Sequence, residues 1–175
     1  MRVLTVVSLA VFLVAVAVFA GDYAYTGLGK CKLCHKGTRN GEIYEKWEAG
    51  PHAKAFTTLG SEAAATVYAG LGKSGNPQED PDCLRCHVTG YGCADSLTAK
   101  VDPSDGVTCE ACHGAGSGYY KKSIMEDREA AIANGLNPDP KAGCVRCHNE
   151  ESPTYKPFNV DERWLVIAHE VPKEE

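Results

Sequence analysis

Cys31-Lys32-Leu33-Cys34-His35 sets two thiols three residues apart and follows them at once with an imidazole. The same pattern returns as a second motif, Cys83-Leu84-Arg85-Cys86-His87, a third, Cys109-Glu110-Ala111-Cys112-His113, and a fourth, Cys144-Val145-Arg146-Cys147-His148. Two thiols about one helical turn apart can form thioethers to the two vinyl groups of a haem, and the next residue then turns its ring toward the iron. Three other chemistries also use paired cysteines: a disulfide framework in an exported chain, zinc sites and a redox C-x-x-C. None of them requires a histidine after every pair. The spacing therefore predicts four covalently attached haem c groups. Cys31, Cys34, Cys83, Cys86, Cys109, Cys112, Cys144 and Cys147 are the attachment thiols, and His35, His87, His113 and His148 the proximal iron ligands.

That cofactor load accounts for an otherwise contradictory composition. The chain has 175 residues and is 43% hydrophobic. However, 17 of its first 20 residues are apolar. In residues 21–175, Leu, Ile, Val and Phe supply only 22 side chains. This is 14%, below the roughly 20% at which a charged chain is expected to stay disordered. Four macrocycles on one short chain leave no room for a private domain each. The haems must pack together, as rigid apolar plates in place of the missing aliphatic core. The expected fold is mostly α and loop-rich, a single multihaem cytochrome domain over 21–175 organised around four packed covalent haems.

Residues 1–20 read as a cleaved signal peptide: Arg2, then an apolar run from Val3, then the small-residue ending Val18-Phe19-Ala20. An uncleaved anchor is the competing reading, since the eighteen residues from Val3 to Ala20, interrupted only by Thr5 and Ser8, just span a bilayer. The mature chain is expected in the periplasm or outside the cell, free of the membrane. After cleavage 17 basic and 23 acidic residues remain. No basic run exceeds Lys121-Lys122, so nothing points to nucleic acid.

Four six-coordinate irons need eight axial ligands, and the whole chain has six histidines. His52 and His169 are the two outside the motifs, and both are expected as distal ligands. His52 has a competing reading as a surface or hydrogen-bonded side chain. His169 could instead be a cationic residue interacting with its own helix C-terminus. Two positions remain. Met125 would raise the potential of its haem, although a core Met beside Ile124 is the preferred reading. The amino group of Gly21 and a vacant or water-bound iron are the other candidates. Cys93, the ninth cysteine, is expected to be a small buried thiol, with an iron ligand or an intermolecular disulfide as the competing readings.

Periodicity and punctuation predict a helix with Ile43 and Trp47 on one face and another that starts near Pro51 and stops at Gly60. They also predict a short helix over Ser61–Gly70 capped by Ser61. A single helix from Tyr120 to Ile132 and a last one capped by Asp161 and stopped by Pro172 complete the set. Loops 73–82, 102–106 and 137–140 each carry Pro and each precede a motif. Motif starts are 52, 26 and 35 residues apart, so the chain is not a tandem array.

Beyond the motifs, several stretches carry a family likeness. They are Lys46-Trp47 through His52-Ala53-Lys54-Ala55, Cys86-His87-Val88-Thr89-Gly90, Gly106-Val107-Thr108-Cys109 through His113-Gly114, and Cys147-His148-Asn149 with Ser152-Pro153. With them the mature chain resembles the tetrahaem cytochrome c-554 (cytochrome c-552/4) family. The resemblance implies a mostly α fold around stacked haem pairs, periplasmic electron transfer, and a distal-ligand role for His52. Family members can keep one haem with an open axial position. This chain departs from them in being compact and poor in histidine.

The function expected is an exported electron carrier that docks to redox partner proteins, more an electron carrier than an enzyme. Two other classes compete. One is a reductase of small nitrogen oxides at an open iron, for which no proton-delivering His or Arg cluster is visible. The other is a subunit of an extracellular cytochrome filament, which close haem packing permits and no sequence feature demands.

Overall fold

A computed structural model describes residues 23–170 and 172. The expected leader and the Gly21 amino group lie outside the described residues. Among the described residues the chain forms ten short α-helices, six 3-10 turns and no strand. The helices are α1 Leu28–His35, α2 Ile43–Ala49, α3 Ala55–Thr58, α4 Glu62–Gly70, α5 Pro81–His87, α6 Asp95–Thr98, α7 Cys109–His113, α8 Lys122–Met125, α9 Arg128–Ala133 and α10 Val160–Ile167.

The Pro-containing loops share one device. In Asn76-Pro77, Asp80-Pro81, Asp102-Pro103 and Asp139-Pro140 the Asn or Asp side chain accepts a backbone N–H from the turn it starts. Proline at the first position needs no hydrogen-bond acceptor and has its φ preset. The second, third and fourth motifs are thus launched from a preset turn or follow one closely, whereas α1, with the first, starts after Gly27 without a side-chain cap. α5 carries the second motif from Pro81 onward, and the 3-10 stretch Pro140–Arg146 leads into Cys147 and His148. Asp80 is also tied from the side, by Lys73 Nζ at 2.9 Å and by the Tyr68 hydroxyl at 2.8 Å. The Lys73 hydrogen bond is the main reason its carboxyl is held down at about 2.

Three elements differ from expectation. The segment over 120–132 is two helices, because Asp127 accepts the Glu129 and Ala130 N–H groups and starts α9 afresh. α10 is capped by Asn159, which accepts from Asp161 and Glu162 N–H, so Asp161 falls inside the first turn. That helix ends at Ile167, before His169. Its Leu165 and Val166 are exposed, and it is tied to the fourth-motif segment partly through a Lys141–Asp161 ion pair. The helix over α4 forms as its cap residue predicts, with Ser61 Oγ accepting from Ala64 N–H at 3.2 Å.

The apolar core is small. Buried hydrophobic side chains are Leu28, Ile43, Tyr44, Leu59, Leu84, Val88, Tyr119 and Ala131. Among the described residues only Leu59, Leu84 and Val88 form a connected cluster, flanked by Phe56 and Cys83. The helices are therefore arranged around their polar and sulfur-bearing side chains, with little aliphatic packing to hold them.

Candidate functional site

The motif helices come together in a definite order. α1 packs against α7, and α7 against the Pro140–Arg146 turn. The Cys31 thiol hydrogen-bonds the Cys109 thiol, which pushes Cys31 up and Cys109 down. Cys147 is pushed up to about 11, first by burial and then by the neighbouring Cys86 thiol. Cys144 lies near Cys112. The first motif thus meets the third, the second meets the fourth, and the third meets the fourth.

The histidines pair across much longer separations. The His52 and His148 rings have centroids 6.1 Å apart, and the His113 and His169 rings 5.9 Å apart. With metal–imidazole bonds of ~2.0–2.1 Å, two rings bound to opposite sides of one metal ion have centroids about 6 Å apart. Among the described residues no three His, Cys, Asp or Glu side chains converge as a metal site of their own. A zinc cluster does not fit these side chains, whereas a haem, which brings its own equatorial nitrogens, does.

The electrostatics suit ligation. Burial is the first cause that lowers His52, His35, His113 and His148, the neighbouring histidine or Arg163 the second. His113 is pushed down to about 4. A neutral imidazole keeps a lone pair for a metal, and a hydrogen bond on one ring nitrogen dedicates the other to it. The Ala55 carbonyl lies 2.6 Å from His87 Nδ1, and the Ile167 carbonyl 3.0 Å from His169 Nδ1. Phe158 stacks on the His148 ring at 4.2 Å and 8°. No second histidine ring stands opposite His87. Met125 ends α8 and is half-buried. Cys93, expected buried, is exposed. It follows the glycine turn at Gly90 and Gly92, and the Tyr25 hydroxyl is hydrogen-bonded to it.

What positions His52 is a hydrogen-bonded node. Its carbonyl accepts from Val107 N–H at 3.0 Å, and the Val107 carbonyl accepts from the Trp47 indole at 2.8 Å. Thr89 closes the node: its N–H donates to the Gly106 carbonyl at 3.0 Å and its hydroxyl accepts from Thr108 N–H at 2.7 Å. The stretches around Trp47, Thr89 and Gly106, conspicuous in the sequence, are thus the ones that hold His52. Gly106 has φ +69°, and a Cβ there would lie 2.8 Å from the His52 carbonyl oxygen. Gly106→Ala is expected to cost ~1–3 kcal/mol through backbone strain and to shift His52. A urea midpoint that does not fall would show the node to be more pliant than its geometry.

One buried group had no sequence signal at all. Glu110, inside the third motif, is 2% exposed. Its carboxylate accepts from Thr26 N–H (2.8 Å), the Thr26 hydroxyl (3.1 Å), Gly27 N–H (2.9 Å) and Gly116 N–H (2.7 Å). It ties the segment before α1 to the third motif.

Comparison with known proteins finds likeness to one family. The family described as Cytochrome c554 and c-prime matches residues 30–114. The chain is also similar to "Cytochrome c-554" of Nitrosomonas europaea, 33% identical over 104 residues. That match covers 57% of this chain and 42% of the relative. No solved structure matches the chain.

Proposed function

Since the chain belongs, through residues 30–114, to the cytochrome c554 family, we propose that it is an exported tetrahaem c-type cytochrome. It carries electrons between redox partner proteins in the periplasm. Bound haem supplies a one-electron Fe(III)/Fe(II) couple. The rest is done by the chain's own residues. Cys31 and Cys34, Cys83 and Cys86, Cys109 and Cys112, and Cys144 and Cys147 attach one haem each. His35, His87, His113 and His148 are the proximal ligands. His52 is the distal ligand opposite His148, and His169 the one opposite His113. The adjacency of first with third motif and second with fourth supports stacked haem pairs in those combinations. The Ala55 and Ile167 carbonyls orient the His87 and His169 rings, and Phe158 orients His148.

The observation that carries this reading is the pair of histidine separations near 6 Å. Electron paramagnetic resonance of the oxidised holoprotein tests it. His52→Ala and His169→Ala are each expected to convert one haem from low-spin to high-spin, at different haems, while mass spectrometry still counts four haem additions. Unchanged spin states in both variants would remove the two histidines from the ligand set.

With six histidines for the eight axial positions of four haems, one second reading is a reductase of small nitrogen oxides at a haem without a second histidine. It requires a high-spin haem in the unaltered protein that binds nitric oxide without displacing a side chain.

A further inference from the structure

α1 has a second face. Cys31, Cys34 and His35 lie on one side of the helix, while Lys30 and Leu33, three residues apart, lie on another. That other side borders a groove of about 420 Å³ whose walls include Lys30, Lys100, Lys121, Tyr25, Ser117 and Tyr120. No Asp or Glu lines it. The groove continues past Lys30 and Lys100 into a second hollow of about 400 Å³, with Leu33 on its wall and Asp105 among its lining residues.

Three lysines thus line one groove in a chain with 23 acidic and 18 basic residues. Among the described residues none of the three makes a salt bridge. Lys30 Nζ stands 5.8 Å from the centre of the Tyr120 ring. Glu110, the carboxylate behind Thr26, has both oxygens committed to neutral donors and is buried away from the lysines. The trough is therefore a concentrated positive site on a negative protein, with exposed apolar surface at Leu33 and Tyr120.

We propose that this trough is the docking site for an acidic segment of a partner protein, whose carboxylates meet Lys30, Lys100 and Lys121. Charge complementarity selects the partner and sets its orientation. Two joined hollows, with lysines along both and apolar groups on the walls, suit an extended acidic chain better than one small anion. Together with the proposed function, this site brings the partner to the residue next to Cys31.

Lysine acetylation footprinting of the holoprotein, read by mass spectrometry with acetylated octaglutamate as probe, tests it. Octaglutamate is expected to protect Lys30, Lys100 and Lys121 about threefold or more, leaving exposed Lys54 and Lys156 unchanged. Lys30→Glu with Lys121→Glu is expected to weaken octaglutamate binding by calorimetry about tenfold or more, with the haem spectrum unaltered. Lys30→Arg with Lys121→Arg should retain it. Uniform protection of all lysines, or none, overturns the proposal. So does protection of the three by inorganic pyrophosphate but not by octaglutamate, which would mark a small-anion pocket. Footprinting of the unaltered chain decides the matter even where the charge-reversed variant fails to fold.

Discussion

Chain produced without haem is expected to lose most of its far-ultraviolet helical signal and to show no cooperative urea transition. The helices have four to nine residues, whereas isolated helices shorter than about 12–15 residues are marginal in water. They must be held by packing, and the packing available from side chains is one connected cluster of three aliphatics. Among the described residues no large side chain is fully buried. The entropy lost on ordering the backbone then has to be offset by burial against the haem cofactor. Circular dichroism and urea titration of haem-free chain, compared with holoprotein, measure this. Native-like helix content with a sharp transition in the haem-free chain would mean that the polypeptide carries its own core.

The second large effect is expected at Glu110. Glu110→Ala leaves the N–H groups of Thr26, Gly27 and Gly116 without their acceptor in a dry site. An unmet buried donor costs ~1–3 kcal/mol, and the substitution leaves the N–H groups of Thr26, Gly27 and Gly116 unmet together. A loss of about 3–5 kcal/mol is therefore expected in the urea stability of the holoprotein. Glu110→Gln keeps one acceptor oxygen but turns an amide NH₂ toward a backbone N–H, so an intermediate loss is expected. The change should also loosen the Tyr23–Gly27 segment, seen as faster amide exchange there. If Glu110→Ala costs less than about 1 kcal/mol, the four hydrogen bonds are not what fastens this segment to the third motif.

Much of the site was legible because thioether attachment is local chemistry. Two cysteines and the next histidine are defined within five residues, whatever the rest of the chain does. Local rules also predicted α4 from Ser61 and the Pro-led turns ahead of the motifs. They misread segments where a competing side chain acts nearby. Asp127 breaks the expected helix over 120–132, Asn159 takes the cap given to Asp161, and the glycine turn exposes Cys93. Glu110 escaped because the motif leaves its two middle positions free. Its role depends on Thr26 and Gly27, more than eighty residues away.

By itself the low aliphatic content looked like a sign of disorder, and the four motifs convert it into dependence on a cofactor. The sequence determined the number of C-x-x-C-H motifs and the shortage of histidine. Only the tertiary structure decided which imidazole stands opposite which. His52 and His148 are 96 residues apart and His113 and His169 are 56 apart. Their meeting is set by a Gly106 backbone that clears the His52 carbonyl and by a C-terminal segment folded back onto the third motif. Covalent attachment acts over one helical turn, and axial pairing acts across the whole fold.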